Sequence, residues 1–536
     1  MMKKTIKKLL AALLAVAMVC AMAIPAFAGT EGDITKWHSF SAFQIFKGKV
    51  DGNDIKDFKI SNVEWGSNID PDNFLPQLKG ADTIGPLFAN ANSARDVLEV
   101  ISQWHNSDAN SIAFARFVCH YLYPDANAKP KPAVEGGGGS DHIHFDEAGY
   151  YLVVDTTPFS HGDFDHAYNS FLLMVTHEDW NIPITPKAEK PSVKKEVFDN
   201  FDNQDGTSTG DFGSSADHAI NEKFQFKLTA TLPASTDHAY DYYDTYAVCF
   251  KDTLSEGITY DGPDSVVIKS NNNTHDTTID PSKYTIDTKN LENQNYFEVN
   301  IHDVKACAKD AGFDLNDGAT ITFTYTAHLN EKATVNTTSG PTDNKNSVQL
   351  QYSNNPRPGD YWGTTPKSEV YVFTYQLNNT KRAEKEDGTP LPGAGFRLYS
   401  GKDCTKEQEI KLKKNTTDGT YSPYFGTDAG DEMFSDEHGQ FNVKGLDAGT
   451  YYLRETKTPD GYSACANKEI VISATHDVNH VDLSGNLSTT IINKKAGGIT
   501  LPSTGGIGTT LFYVVGGGLM VAAIVLLVTK KRMENK

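Results

Sequence analysis

The feature that most constrains the fold of this sequence is a series of short runs in which apolar and polar residues alternate. Between Lys187 and about Ser368 these runs are separated by loops rich in Asn, Asp, Gly and Ser, and they include Phe224–Leu228, Tyr246–Asp252, Thr320–Tyr325 and Ser347–Tyr352. Period-two alternation predicts strands with one buried face, and many short strands separated by turns indicate a two-sheet sandwich. We therefore predict an all-β fold of tandem Ig-like β-sandwich domains.

Composition divides the folded part into three domains, residues 29–186, 187–368 and 369–496. In the first, Ser93 and Asp96 form a capping pattern that predicts a helix through Trp104, and Ile112–Leu122 continues in helical style. Strands are predicted at Gly149–Val154 and Phe171–Val175, so this region is interpreted as a β domain with a helical insertion. The third domain resumes the strand pattern, for example at Phe396–Tyr399.

Apolar segments flank these domains. Four lysines within residues 3–8 precede an apolar stretch, and Ala26-Phe27-Ala28 supplies small residues for cleavage, which predicts a secretory signal peptide over residues 1–28. The uncharged run from Ile507 to Val528 is long enough to cross a bilayer, and the basic residues that follow it predict a cytoplasmic tail. The mature protein is therefore expected outside the membrane, beginning near Gly29.

The predicted mature chain is acidic and poor in cysteine. Loss of the four signal lysines and of a tail with net charge +3 moves the formal charge from −20 to about −27. This charge argues against nucleic acid as a partner and suits an extracellular protein. The five remaining cysteines lack metal-site spacing, while Cys404–Cys465 and Cys249–Cys307 could each form a disulfide within one domain.

The C-terminal segment 497–536 resembles the cell-wall sorting signal of Gram-positive surface proteins. The resemblance is carried by Leu501-Pro502-Ser503-Thr504-Gly505, followed in order by the apolar run and the basic tail. It implies that a sortase cysteine cleaves between Thr504 and Gly505, holds the chain as a thioester and releases it to an amine. The alternative is an ordinary single-pass anchor that follows a chance LPSTG.

A carboxylate on an apolar strand face marks the third domain. In the segment Tyr451–Thr456, Glu455 shares a face with Tyr451 and Leu453, where a carboxylate is costly unless it has a partner. Together with Pro459-Asp460-Gly461-Tyr462, this segment resembles the E-box of Gram-positive pilins and related adhesins. Their CnaA- and CnaB-type sandwich domains form internal Lys–Asn isopeptide bonds.

By this resemblance, Lys381 is the amine, Asn493 the electrophile and Glu455 the catalytic acid, with Lys385 as a rival nucleophile. The reaction requires burial, because desolvation favours the neutral amine and the protonated acid. The alternative is a buried Lys–Glu ion pair, with Asn493 capping a turn.

The middle domain contains the same residue types with aspartate as the acid. Strand parity turns Lys195 inward, and Asp252 and Asn346 each lie at the end of an apolar stripe. This resembles the middle domain of pilin backbone subunits and implies a Lys195–Asn346 bond promoted by Asp252. Solvated or paired charges are the alternative.

The segment Trp180–Lys187 resembles the pilin motif, whose lysine is the amine that resolves the sortase intermediate. The resemblance implies Lys187 as the polymerising lysine. The spacing from Trp180 is two residues shorter than in the family, and Thr185 stands where tyrosine usually precedes the proline, so Lys190 and a functionless linker lysine remain alternatives.

Other candidate sites are weaker. Lys47, Glu147 and Asn169 could imitate a triad in the first domain, but Ala188 follows Lys187 where related crosslinked first domains place Asn, so no bond is predicted there. His142 and His144 adjoin a polyglycine loop, and the acidic loop around residues 428–437 lacks EF-hand spacing. No metal site and no cofactor are predicted.

Taken along the whole chain, the resemblance implies a backbone (major) pilin subunit, a structural protein and not an enzyme beyond its own autocatalytic crosslinking. It implies as partners other copies of the chain, a pilus-class and a housekeeping sortase, accessory pilins, peptidoglycan and a host surface ligand. The alternative is a monomeric LPXTG-anchored adhesin that binds host matrix. An extracellular hydrolase ranks third, because no catalytic constellation of that kind stands out.

Overall fold

The computed structural model describes residues 39–51, 59–104, 108–125, 127–135, 142–156, 170–175, 180–183, 190–200, 210–236, 238–357, 362–484 and 487–496. They divide into two compact units. The first unit comprises the described residues up to Tyr375 together with Ala474–Leu483, and the second comprises Gln376–Ser473 and the described residues from Ser484 onward. The predicted three-domain boundaries stay predictions.

The N-terminal part of the first unit combines a sheet with helices. Sheet I runs in the order Lys59–Trp65, Phe40–Asp51, Gly149–Asp155 and Phe171–Val175, with Val134–Glu135 beside Phe40–Asp51. The helices Pro71–Gly80, Ala94–Ile101 and Ala109–Leu122 fall between its strands in sequence, as the predicted helical insertion. A two-stranded sheet II pairs His142–Phe145 with Trp180–Pro183.

Local sequence signals account for the helix starts. Ser93 accepts a hydrogen bond from the backbone NH of Asp96, as predicted, but this helix ends at Ile101 and does not reach Trp104. The helix Pro71–Gly80 was not predicted. It begins after Asp70, whose side chain accepts from the NH of Asp72, and it places proline at its first position, where no helical NH is lost.

Two sheets of the first unit form the predicted sandwich of the middle region. Sheet III has the order Thr277–Thr278, Ile258–Ser270, Ala319–Leu329, Lys223–Leu232, Ser192–Asp199 and Asp211–Gly213. Sheet IV has the order Ser215–Asp217, Ser368–Phe373, Lys345–Ser353, Val248–Leu254, Tyr296–Ile301 and Tyr284–Asp287, with Trp362–Thr364 beside Lys345–Ser353. The short helices Leu291–Gln294 and Val304–Asp310 lie in the connections.

Strand periodicity builds the core between these sheets. In Ala319–Leu329 every second residue is buried, and the residues between them are threonines and one histidine at half-exposed positions. Phe297 of sheet IV packs against Phe323 and Tyr325 of sheet III, with ring centroids 6.2 and 5.2 Å apart. The alternation therefore fixes which side chains meet inside the sandwich.

Most residues of the two remaining sheets belong to the second unit, whereas Tyr375 and Ala474–Leu483 belong to the first. Sheet V runs Leu412–Lys414, Tyr421–Pro423, Val443–Leu446, Tyr375–Ala383 and Ser488–Asn493. Sheet VI runs Glu409–Ile410, Gly395–Tyr399, Gly449–Lys457, Lys468–Asp477 and His480–Ser484, with Met433–Phe434 beside Gly395–Tyr399. Single 3₁₀ turns occur along the chain at Gly85–Phe88, Ala239–Tyr242, Pro281–Lys283, Leu315–Asp317 and Lys406–Gln408.

The suggested disulfides are not formed, since all five cysteines of the described residues are free thiols. Cys465 turns its sulfur toward Lys381 Nζ, 3.7 Å away, and Cys404 accepts a hydrogen bond from Asn467. The sulfur atoms of Cys404 and Cys465 therefore contact other side chains and not each other.

Among the described residues, none of the helices has the length and apolar character needed to cross a membrane. The predicted signal peptide and the predicted span 507–528 lie outside the described residues.

Candidate functional site

The second unit brings Lys381, Glu455 and Asn493 together in its interior. Lys381 lies on Tyr375–Ala383, where every second residue is buried and Lys381 belongs to the buried set. Asn493 lies on the adjacent parallel strand, two residues beyond Ile491, the partner of Lys381. Glu455 comes from the facing sheet VI, opposite Phe396. The amine and the amide therefore share one sheet, and the acid reaches them across the core.

The three polar groups form a closed triangle. Lys381 Nζ lies 2.5 Å from Asn493 Oδ1 and 3.1 Å from Glu455 Oε1, and Asn493 Nδ2 donates to the same Glu455 oxygen at 2.7 Å. The side chains of Lys381 and Glu455 are fully buried. These contacts hold the amine beside the carboxamide, and fixed proximity of this kind favours a reaction between two groups.

Neighbouring groups hold the triangle in place. Glu455 Oε2 accepts from the backbone NH of Cys465 at 3.0 Å and from Thr458 Oγ1 at 3.2 Å. Gly439 has a φ of +76°, and a Cβ there would lie 2.4 Å from the carbonyl oxygen of Lys381. Its own carbonyl accepts from the NH of Lys381 at 2.6 Å, so glycine is required for this close approach to the lysine strand.

The middle sandwich gathers Lys195, Asp252 and Asn346 in a different arrangement. Lys195 lies on Ser192–Asp199 of sheet III, whereas Asp252 and Asn346 lie on adjacent strands of sheet IV. Relative exposures are 2%, 0% and 0%, respectively. Here the amine must reach the amide across the sandwich.

Tyr325 lies at the centre of this cluster. Its hydroxyl donates to Asp252 Oδ1 at 3.0 Å and accepts from Asn346 Nδ2, while Lys195 Nζ lies 3.2 Å from the same hydroxyl and donates to Asp252 Oδ2. Asn346 Oδ1 is buried without a hydrogen-bond partner among the described residues. The amine and the carboxamide therefore both contact Tyr325, and the carboxamide oxygen has no donor.

Burial sets the protonation of this cluster. Desolvation lowers the pKa of Lys195 to about 8, although the neighbouring Asp252 charge acts in the opposite direction. Desolvation likewise raises the pKa of Asp252 against the attraction of Lys195. Both shifts favour a neutral amine beside a protonated acid, which is the state in which the lysine is a nucleophile.

Sequence reasoning missed Tyr325 and Cys465. Tyr325 is the one polar residue on the buried face of Ala319–Leu329, and a hydroxyl on an otherwise apolar face was the available signal. No sequence signal placed Cys465 beside Lys381, because a loop brings it there.

The structure assigns the remaining candidates to other surroundings. Lys385 is exposed and pairs with Asp387 at 3.2 Å, away from the buried triangle. In the first domain, Lys47 is half exposed and pairs with Glu64 at 3.1 Å, while Glu147 accepts from Gln44. Lys190 is exposed. Three further predicted features lie outside the described residues: Lys187, Asn169 and the sorting motif Leu501–Gly505, which contains the cleavage point after Thr504.

The residues that the sequence offered as weak metal-ligand candidates do not come together as a metal-binding group among the described residues. His144 pairs with Asp146 at 3.3 Å, and Asp428 and Asp431 of the acidic loop pair with Lys413 at 3.4 and 3.6 Å. Within the part of the chain that the structure describes, none of these residues belongs to a group with metal-binding geometry.

Three solved structures that are similar to this chain are pilins. The 35 kDa C-terminal fragment of the major pilin GBS80 of Streptococcus agalactiae is 22% identical, with 57% of this chain and 99% of that chain covered and a TM-score of 0.40. The T6 backbone pilin of serotype M6 Streptococcus pyogenes is 16% identical, covering 87% and 97% at a TM-score of 0.46. The full-length major pilin SpaD of Corynebacterium diphtheriae is 18% identical, covering 87% and 90% at 0.41.

Family models match two adjoining segments, and no curated protein sequence matches the chain. Residues 378–486 match the prealbumin-like fold domain SpaA, and residues 493–535 match the LPXTG cell wall anchor motif. The SpaA match contains Lys381 and Glu455, and the anchor match begins at Asn493. The chain is thus a cell-wall-anchored surface protein of Gram-positive type that carries a SpaA prealbumin-like domain before its LPXTG anchor.

Proposed function

We propose that this chain is the backbone subunit of a covalent surface pilus, polymerised by a sortase and internally crosslinked by two isopeptide bonds. The observation that carries the proposal is the pair of buried lysine–acid–asparagine clusters in a chain with an LPXTG anchor motif. A fully buried lysine and carboxylate are costly as a mere ion pair, so a reaction between lysine and asparagine gives both clusters a purpose.

In the second unit the neutral amine of Lys381 attacks Cγ of Asn493. Glu455 gives a proton to the carboxamide oxygen as the new C–N bond forms, and its carboxylate then takes a proton from Nζ and passes it to Nδ2. The old C–N bond breaks, ammonia leaves, and the proton on the oxygen returns to Glu455 as the carbonyl reforms. In the structure the carboxamide donates its NH2 to Glu455, and a half turn about χ2 presents its oxygen to the acid. Fixed proximity supplies the rate that a separate enzyme would otherwise provide.

In the middle sandwich the same reaction joins Lys195 to Asn346, with Asp252 as the acid. The hydroxyl of Tyr325 lies between the acid and the carboxamide and is suited to orient both. Tyr325 is therefore assigned as a positioning residue. The unpartnered oxygen of Asn346 gains a donor when Asp252 is protonated and the carboxamide turns toward it.

Polymerisation joins the C-terminal end of one chain to a lysine at the junction of the first and middle domains of the next chain. A pilus-class sortase cleaves after Thr504 and transfers its carbonyl to Lys187 of the next subunit. Because the two joined surfaces differ, the contact is heterologous and builds an open fibre. The housekeeping sortase passes the last subunit to peptidoglycan, and accessory pilins and a host surface ligand complete the proposed partners.

The test of the pilus proposal is a polymer ladder from cells that produce the full chain with a pilus-class sortase. The link between subunits is an amide, so the ladder survives boiling in detergent. Lys187→Ala is expected to reduce it to monomer that remains linked to the wall through Thr504, and Lys190→Ala is the matched control that should leave it intact.

Two outcomes contradict parts of the proposal. If the ladder persists in Lys187→Ala and disappears in Lys190→Ala, the polymerising lysine is Lys190. Monomer alone in the unsubstituted chain, in the presence of active sortase, favours the monomeric LPXTG-anchored adhesin.

A further inference from the structure

A third buried polar cluster lies in the first unit, apart from both crosslinking clusters. It is formed by Asp199, Asp217 and His476, one potential metal ligand from each of three separate segments. Asp199 is at the end of Ser192–Asp199, Asp217 is at the end of Ser215–Asp217, and His476 belongs to the part of Lys468–Asp477 that lies in the first unit. Relative exposures of the two aspartates are 3% and 8%, and that of the histidine side chain is 14%.

We propose that Asp199, Asp217 and His476 bind a divalent transition-metal cation of the zinc class. The three ligand atoms lie within 4.8 Å of one another. His476 Nε2 is 3.3 Å from Asp199 Oδ2 and 3.7 Å from Asp217 Oδ1. Two ligands bound at about 2.1 Å to a tetrahedral zinc ion lie about 3.4 Å apart, so these separations match a shared metal.

The carboxylate of Asp199 provides an independent indication of a ligand. Its Oδ1 is buried and has no hydrogen-bond partner among the described residues, although its Oδ2 is directed at His476. A buried carboxylate oxygen without a donor is costly, and a bound cation removes that cost. Because the two oxygens belong to one carboxylate, Oδ1 lies at the same cluster.

Second contacts orient the ligands as metal sites require. Ser215 Oγ lies 2.9 Å from His476 Nδ1, and the tautomer in which Nδ1–H donates to this hydroxyl leaves Nε2 for the metal. Tyr375 Oη donates to Asp217 Oδ2 at 2.9 Å, which turns Oδ1 toward His476. The ring of Phe373 stacks on the imidazole, with centroids 5.8 Å apart. The donor set of one imidazole and two carboxylates selects zinc over calcium, which prefers oxygen ligands alone.

Charge favours the same occupant. Two carboxylates beside a neutral imidazole carry a formal charge of −2, which one divalent cation neutralises in a buried site.

The experiment is a titration of the chelator-treated full-length chain with ZnCl₂, followed by calorimetry, and with CoCl₂, followed by visible absorption. One equivalent of Zn²⁺ should bind, and Co²⁺ should give the intense bands of a tetrahedral site. His476→Ala and the nearly isosteric Asp199→Asn should each lose this binding. Ser215→Ala should weaken it by about 10- to 100-fold, the range for a lost supporting hydrogen bond.

The matched control is His480→Ala, which removes an exposed histidine of the same segment that pairs with Asp482 at 3.2 Å. It should bind Zn²⁺ as the unsubstituted chain does. The proposal is overturned if His476→Ala and Asp199→Asn, shown to be folded by circular dichroism, bind Zn²⁺ undiminished. It is equally overturned if the unsubstituted chain binds no stoichiometric Zn²⁺, or if Ca²⁺ binds at the site in preference to Zn²⁺.

Discussion

Replacing Glu455 by glutamine should abolish the Lys381–Asn493 bond while conserving the size of the buried side chain. The carboxamide of glutamine can donate a hydrogen bond but is not acidic enough to transfer a proton, so the amine of Lys381 remains unreacted. The two bonded residues are 112 positions apart in the sequence. A crosslink that closes a loop of about 100 residues restricts the unfolded chain by about 5 kcal/mol, by analogy with disulfides.

That free energy is large compared with the stability of one domain. A change of 1 kcal/mol shifts the melting temperature of a domain of about 100 residues by roughly 4–8 °C, so the loss is expected to exceed about 20 °C. The buried amine left facing a neutral amide adds to the destabilisation and does not offset it.

The assay is differential scanning calorimetry of the full chain, with mass spectrometry on the same sample to establish the state of the bond. Glu437→Gln, which makes the same chemical change at an exposed position, is the control. Its melting temperature should equal that of the unsubstituted chain. Retention of the bond in Glu455→Gln would show that Glu455 is not the acid that promotes it. If the bond is lost and the corresponding transition moves by less than about 3 °C, the crosslink does not stabilise the domain by the expected amount.

Three further predictions concern the middle sandwich and the load path. Tyr325→Phe should yield a mixture of crosslinked and uncrosslinked chains by mass spectrometry, because the acid and carboxamide lose their shared hydroxyl; complete crosslinking would remove its positioning role. Asn346→Ala prevents the bond and leaves Lys195 with a pKa lowered by burial to about 8, against an ordinary 10.5. Since the unfolded lysine then binds more protons between these values, the free energy of unfolding should rise from pH 8 to 10.5, and a flat or falling profile in chemical denaturation would contradict the assignment. In single-molecule stretching between Lys187 and Thr504, the crosslinks should bypass both domain interiors, so long unfolding steps at forces well below covalent rupture would refute this load path.

Strand periodicity made much of the fold and of both clusters predictable. In a strand, side-chain direction follows from parity alone, and this was sufficient to turn Lys381, Lys195 and Asp252 inward. Parity says nothing about which inward residues of different strands become neighbours. The location of Tyr325 between Asp252 and Asn346 depends on the register of strands distant in sequence, which the chain sets only on folding.

Loops and short helices were less predictable for a related reason. Cys465 approaches Lys381 through a loop, and free thiols replace the two suggested disulfides because spacing within a domain does not establish proximity. The unpredicted helix Pro71–Gly80 contains Pro76, which argues against a helix in a local reading, yet Phe74 and Leu78 are buried in the core. Tertiary packing therefore outweighed the local signal.

If two lysines have reacted with two asparagines, the protein has lost two molecules of ammonia, so the intact mass of the secreted chain is the decisive measurement. Each bond expels one ammonia, about 17 Da, so the mature protein should be about 34 Da lighter than its sequence requires. Proteolytic fragments should then connect Lys195 to Asn346 and Lys381 to Asn493. A well-folded protein with the unmodified mass would contradict the account.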